Sequence, residues 1–104
     1  MEKRTTTTAK RVPRIEDLRS AILAVTRKHR VRNVRVFGSF ARNEQRKTSD
    51  VDLLVQFPPR FTLIDWSGLK IDLEAAIGRK VDIVSERSIK PALRTYILAD
   101  ARPL

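Results

Sequence analysis

Three aspartates occupy strand-like stretches where apolar residues are expected. Asp50 and Asp52 flank Val51 and run directly into Leu53, Leu54 and Val55, while Asp82 lies between Val81 and Ile83. Side chains two apart on a strand share a face, so Asp50 and Asp52 project together. If the two strands are neighbours, Asp82 can face the same point. Three convergent carboxylates repel one another unless a cation sits among them. The natural cation is Mg²⁺, a hard ion held by a few carboxylates and substrate phosphates. A pair of such ions makes a clamp for in-line phosphoryl or nucleotidyl transfer. Taken singly, each aspartate has a plainer reading as a turn residue, a cap or an outward residue on an edge strand.

The stretch before the pair narrows the choice. Gly38-Ser39 follows a strand-like run and precedes a predicted short helix at Phe40 to Glu44. Glycine lets the backbone approach a phosphate closely, and amides at a helix start bind anions. A Gly-Ser pair alone carries almost no signal. Here ten residues separate Ser39 from Asp50, so strand, turn and strand can bring a phosphate cradle beside a metal pair. Cradle, metal pair and third acid together describe nucleoside triphosphate chemistry.

The elements that must position these groups are readable from pattern. Residues 15–29 place Ile15, Leu18, Ile22 and Val25 at helical spacing, with acids in the first turn and bases at the end. Val34 to Phe37 reads as a strand ending at Gly38. Residues 41–49 read as a turn or short helix plus loop. Asp50 to Phe57 reads as a second strand, stopped by Pro58-Pro59. Residues 62–77 read as a helix with Leu63, Trp66, Leu69, Leu73 and Ile77 on one face, and Gly78 as its cap. Val81 to Val84 is a third strand, and Pro91 starts a last helix to about Ala99. The order predicts an α/β domain, a small mixed β-sheet with flanking helices.

Length and composition set the outer bounds. The chain has 104 residues, enough for one small domain. It contains no cysteine, which excludes disulfides, thiolate metal sites and cysteine nucleophiles. No apolar run is long enough to span a membrane, and the charged, Thr-rich start lacks the apolar segment of a secretory signal, so a cytoplasmic location is expected. The formal net charge is +10. Residues 1–14 hold five bases and one acid and predict a disordered basic tail, leaving 15–104 as the folded domain. A second basic cluster, Arg27, Lys28, Arg30, Arg32 and Arg35, reads either as a solvated helix end or as a rim that attracts phosphate. His29 within it has no metal-ligating companions in sequence. A basic balance implies a polyanionic partner; here it points to triphosphate handling and an acidic protein partner more than to nucleic acid.

The run from Gly38 to Val55, GSFARNEQRKTSDVDLLV, resembles the signature of the DNA polymerase β-like nucleotidyltransferase superfamily: Gly-Ser, ten residues, Asp-x-Asp. Within it the chain is most similar to the minimal nucleotidyltransferases that pair with HEPN-domain toxins as antitoxins. The resemblance spans roughly residues 15–100, and the segment Gly78 to Val84 resembles the strand that carries the third acid. It implies that Gly38 and Ser39 bind the triphosphate and that Asp50 and Asp52 hold metal. It further implies that Asp82 shares a metal and takes the acceptor's proton, and that Arg42 is a basic neighbour of the phosphates. One departure stands out: Asn43 where the family often has Gly. Asparagine tolerates the left-handed conformation, so the turn is expected to survive.

The reaction so implied is transfer of AMP from ATP, with Mg²⁺, to a tyrosine of a cognate HEPN toxin, which silences the toxin. Two alternatives follow from the same residues: a binding-only antitoxin, and a nucleotidyltransferase acting on an RNA end or a small molecule. A binding-only protein would be free to lose its acids, and all three are present. Nothing in the sequence selects the base of the nucleotide.

Overall fold

The computed structural model describes residues 12–104, so most of the predicted basic tail lies outside the described residues. Helix α1 spans Ile15–Lys28 and leads into strand β1, Arg32–Phe37. A single 3-10 turn, Gly38–Phe40, and a loop connect β1 to β2, Val51–Gln56. Helix α2, Leu63–Ile77, is followed by β3, Val81–Ser85, then α3, Pro91–Asp100, and a two-residue strand β4, Arg102–Pro103.

The four strands run in the order β3-β2-β1-β4. β2 pairs parallel to β3 and antiparallel to β1, and β4 pairs antiparallel to β1. The sheet is therefore mixed, as expected. Pleat alternation divides its faces. Val34, Val36, Val51, Leu53, Val55, Val81 and Ile83 form one buried cluster with Ile15 and Ile22 of α1 and Leu69 and Leu73 of α2. The intervening residues of β2 and β3, among them Asp52 and Asp82, face away from that helical layer.

Local chemistry fixes the helix ends. The Asp65 carboxylate accepts from the Thr62 amide (2.9 Å) while the Thr62 hydroxyl accepts from the Asp65 amide (3.1 Å), a reciprocal cap at the start of α2. Gly78, at φ +69°, ends the helix in the left-handed conformation that glycine adopts without a Cβ penalty. The structure departs from pattern in three places. Phe40 to Glu44 is not a helix; the 3-10 turn starts earlier, at Gly38, and ordinary turns follow. Leu63 is not on the buried stripe of α2 but 78% exposed, because the capped first turn precedes the part of the helix that packs. Beyond the last helix, where no element is predicted, Arg102–Pro103 form β4. A proline is tolerated on so short an edge strand, and Leu104 follows it with a hydrogen bond to Val34 (2.9 Å). Among the described residues no helix is long and apolar enough to cross a membrane.

Candidate active site

The sheet register assembles the site. Asp52 on β2 lies beside Asp82 on β3 and across from Phe37, the last residue of β1. Paired residues share a face, so the two carboxylates stand together. Gly38, the next residue after Phe37, takes φ +73°. A Cβ built there would fall 2.2 Å from Asp52 Oδ2. No other residue fits: glycine brings the Gly-Ser turn directly against the aspartate. Ser39 follows in the same turn, half-buried, its carbonyl accepting from the Glu44 amide (2.9 Å). Asp50 sits one residue before β2 and is exposed.

Two of the three acids therefore converge in the free chain, and the third stands apart. Among the described residues, no set of three carboxylates or imidazoles is within range to hold a metal ion. The expected three-ligand cluster is thus not closed here, because β2 begins only at Val51 and leaves Asp50 outside the ladder. The electrostatics of the pair nevertheless suit a cation. The Asp52 carboxyl is pushed up from 3.8 to about 6, chiefly by burial, then by the Asp82 carboxylate and its hydrogen bond, then by Asp50. Arg42 acts in the opposite direction, its positive charge lowering the Asp52 pKa. A half-buried anion beside a second anion, under a backbone held open by Gly38, fits a hard divalent ion and the phosphates it would carry.

Arg42 lies on the loop after the 3-10 turn. Its guanidinium pairs with Glu44 (3.0 Å) and with Asp100 at the end of α3. These partners raise its pKa further, the Glu44 hydrogen bond first, and tie α3 to the site. Asn43 takes φ +59°, the left-handed turn expected of it.

The structure adds residues that sequence reasoning passed over. Arg79 donates to the Ser49 carbonyl (2.8 Å) and stacks over the Phe40 ring (5.2 Å). It joins the end of the Gly-Ser turn to the segment before Asp50, so one side chain holds both halves of the motif. Glu74 accepts from the Val81 amide (2.9 Å), and Lys70 donates to Glu74 (2.9 Å) and to the Val81 carbonyl (2.6 Å). This clamp fixes the start of β3 and hence Asp82. The Val81 amide and Lys70 hold the Glu74 carboxyl below its usual range, the backbone bond contributing most. The only advance signal was the Lys70/Glu74 spacing, which any solvated helix face can show.

The basic cluster does not form a phosphate rim around the aspartates. β1 runs antiparallel to β2, so Arg32 pairs with Gln56 at the far end of the strand from Asp52. That separates the two ends by about 13–16 Å. Arg35 is consumed by an ion pair with Glu86. His29, which caps the end of α1, is bound to Asp72 of α2 (2.7 Å).

A model of the nucleotidyltransferase domain family matches residues 18–104. The chain belongs to that family. A protein of Methanocaldococcus jannaschii, provisionally named a protein adenylyltransferase, is 41% identical over 87 residues, covering 84% of this chain and 94% of the relative. The protein adenylyltransferase MntA of Thermococcus cleftensis is 34% identical, covering 83% and 91%. A solved structure, provisionally described as a minimal nucleotidyltransferase, superposes with TM-score 0.77 at 47% identity, covering 88% of this chain and 97% of that one. The same fold occurs in an MNT antitoxin bound to the tri-AMPylated HEPN toxin of Shewanella oneidensis (TM-score 0.66, 20% identity, covering 85% and 69%). The polymerase β-like nucleotidyltransferase fold and enzyme class expected from Gly38 to Val55 are those of these relatives.

Proposed function

We propose that this nucleotidyltransferase is an antitoxin that transfers AMP from ATP to a tyrosine of a cognate HEPN-domain toxin and thereby neutralises it. The observation that carries the reading is the Asp52–Asp82 pair set against Gly38. That arrangement suits a triphosphate, and the relatives' naming as protein adenylyltransferases supports a protein acceptor.

In this reading Gly38 and Ser39 bind the phosphates through the tight turn, and Arg42 supplies a positive charge to them. Asp50, Asp52 and Asp82 would hold Mg²⁺, Asp50 joining the pair as the nucleotide binds. The ion, when bound, neutralises negative charge on the phosphates. The acceptor's tyrosyl oxygen attacks the α-phosphorus, the bond to pyrophosphate breaks, and pyrophosphate leaves. Asp82, the more exposed of the facing acids, takes the tyrosyl proton. Arg79 and the Lys70–Glu74 clamp keep the two halves of the site in register. The toxin would dock on α3, where Leu93, Tyr96 and Leu98 are exposed beside the Arg42–Asp100 link.

The test uses ATP labelled at either the α or the γ phosphate, with Mg²⁺ and the product of the neighbouring gene. The reading expects α label on the partner and none from γ. Label from the γ phosphate, or label on RNA in place of protein, overturns it.

A further inference from the structure

The arginines displaced from the aspartates reassemble elsewhere. A cavity of about 960 Å³ opens at the end of the sheet away from Asp52 and Asp82. Arg27 lines it from the last turn of α1, Arg30 from the turn that follows, Arg32 from the start of β1, Arg60 from the loop after β2, and Arg87 from the turn after β3. Three separate segments, 27–32, the loop after β2 and the turn after β3, thus line one hollow with five arginines. Its only lining carboxylate among the described residues, Glu86, is already paired with Arg35. None of the five is in an ion pair among the described residues.

Two further features mark this as more than a solvated charged face. Arg30 and Arg60 both adopt left-handed backbone, at φ +61° and +63°. Glycine or asparagine would take these turns more easily, so arginine is carried at two strained positions that line the same cavity. The wall also holds Phe57 and Phe61, stacked nearly parallel with centroids 4.5 Å apart. A planar aromatic pair can extend its stack onto a nucleobase, and arginine both pairs with phosphate in a bidentate fashion and stacks on bases. The volume lies near the top of the ~300–1,000 Å³ range of ligand sites, more than one phosphate needs.

We propose that this cavity binds a single-stranded polynucleotide, its phosphates held by the arginines and its bases stacked on the Phe57–Phe61 pair. An acidic peptide would meet the charge but would leave the aromatic wall unused. A duplex keeps its bases within its own stack. The site is separate from the catalytic end and independent of the acceptor proposed above.

The experiment measures binding of fluorescein-labelled single-stranded RNA and DNA of one sequence to the full-length chain by anisotropy across a range of KCl. Three proteins are compared: wild type, the double variant Arg30→Gly/Arg60→Gly, and Phe61→Leu. The glycines relieve left-handed backbone, so the double variant keeps its fold, which a thermal melt checks. Each phosphate that an arginine neutralises adds ~0.7 to the steepness of log K against log salt. The double variant is therefore expected to show a slope shallower by about 1.4 and an affinity at least about tenfold weaker. Phe61→Leu is expected to bind about fivefold or more weakly with its slope unchanged. RNA and DNA arms that both respond support recognition of phosphate and base; a response by RNA alone adds the ribose hydroxyl to what is read. Four results overturn the proposal: no binding by wild type, equal binding by the double variant, displacement by polyglutamate as effective as by unlabelled oligonucleotide, or displacement by AMP-PNP.

Discussion

Asp52→Asn should stabilise the free protein while ending its activity. The Asp52 carboxyl titrates at about 6 against an ordinary 3.8, so folding favours its neutral form. The protonated group's stabilisation is fully present below pH ~4 and is lost as pH rises through ~6. Above that range the folded chain carries an ionised carboxylate among other acids. The shift would correspond to about 3 kcal/mol if undiminished. The side chain is only half-buried, and solvent screening reduces this to about 1–2 kcal/mol. Asparagine keeps the shape and removes the charge. Thermal melts followed by circular dichroism, in EDTA, are the assay. At pH 8 the variant should melt about 5–10 °C above wild type, and at pH 4 the gain should shrink to a few degrees or less. A variant that melts at or below wild type at pH 8, or whose gain does not change with pH, would refute the electrostatic account of the site.

Other perturbations probe the geometry. Gly38→Ala puts a Cβ 2.2 Å from Asp52 Oδ2 at φ +73°, and the displaced carboxylate should reduce transfer about a hundredfold in a steady-state assay. Arg79→Met removes the Ser49 bond and the Phe40 stack; kcat should fall about tenfold, with KM for ATP changing less. Leu93→Asp with Tyr96→Asp lies on an exposed face, so the melting temperature should hold within a few degrees, while co-purification of the partner toxin should be lost.

How far the sequence revealed this site depended on how local each signal was. Asp50, Asp52 and Asp82 stood out because carboxylates rarely interrupt apolar strand runs, and parallel pairing of β2 with β3 then set Asp52 beside Asp82. Asn43 and Gly78 were legible because left-handed turns have strong residue preferences. The Lys70–Glu74 clamp on Val81 was not, since an i, i+4 ion pair usually decorates a solvated helix. Arg79 was hidden among neighbouring bases, and its contacts with Ser49 and Phe40 exist only once β2 and the 3-10 turn are in place. The arginine cluster was misplaced for a topological reason. An antiparallel β1 carries Arg32 to the end of the sheet opposite the acids, and charge composition alone says nothing about which end. Strand β4 escaped because two residues, one of them proline, carry no alternation to read.

The measurement closest to the central claim is the intact mass of the partner toxin after incubation with this chain, ATP and Mg²⁺. A gain of one or more AMP units is expected, mapped by peptide fragmentation to tyrosine, and no gain with Asp52→Asn. A toxin bound and inhibited with its mass unchanged, or modified equally well by Asp52→Asn, would contradict it.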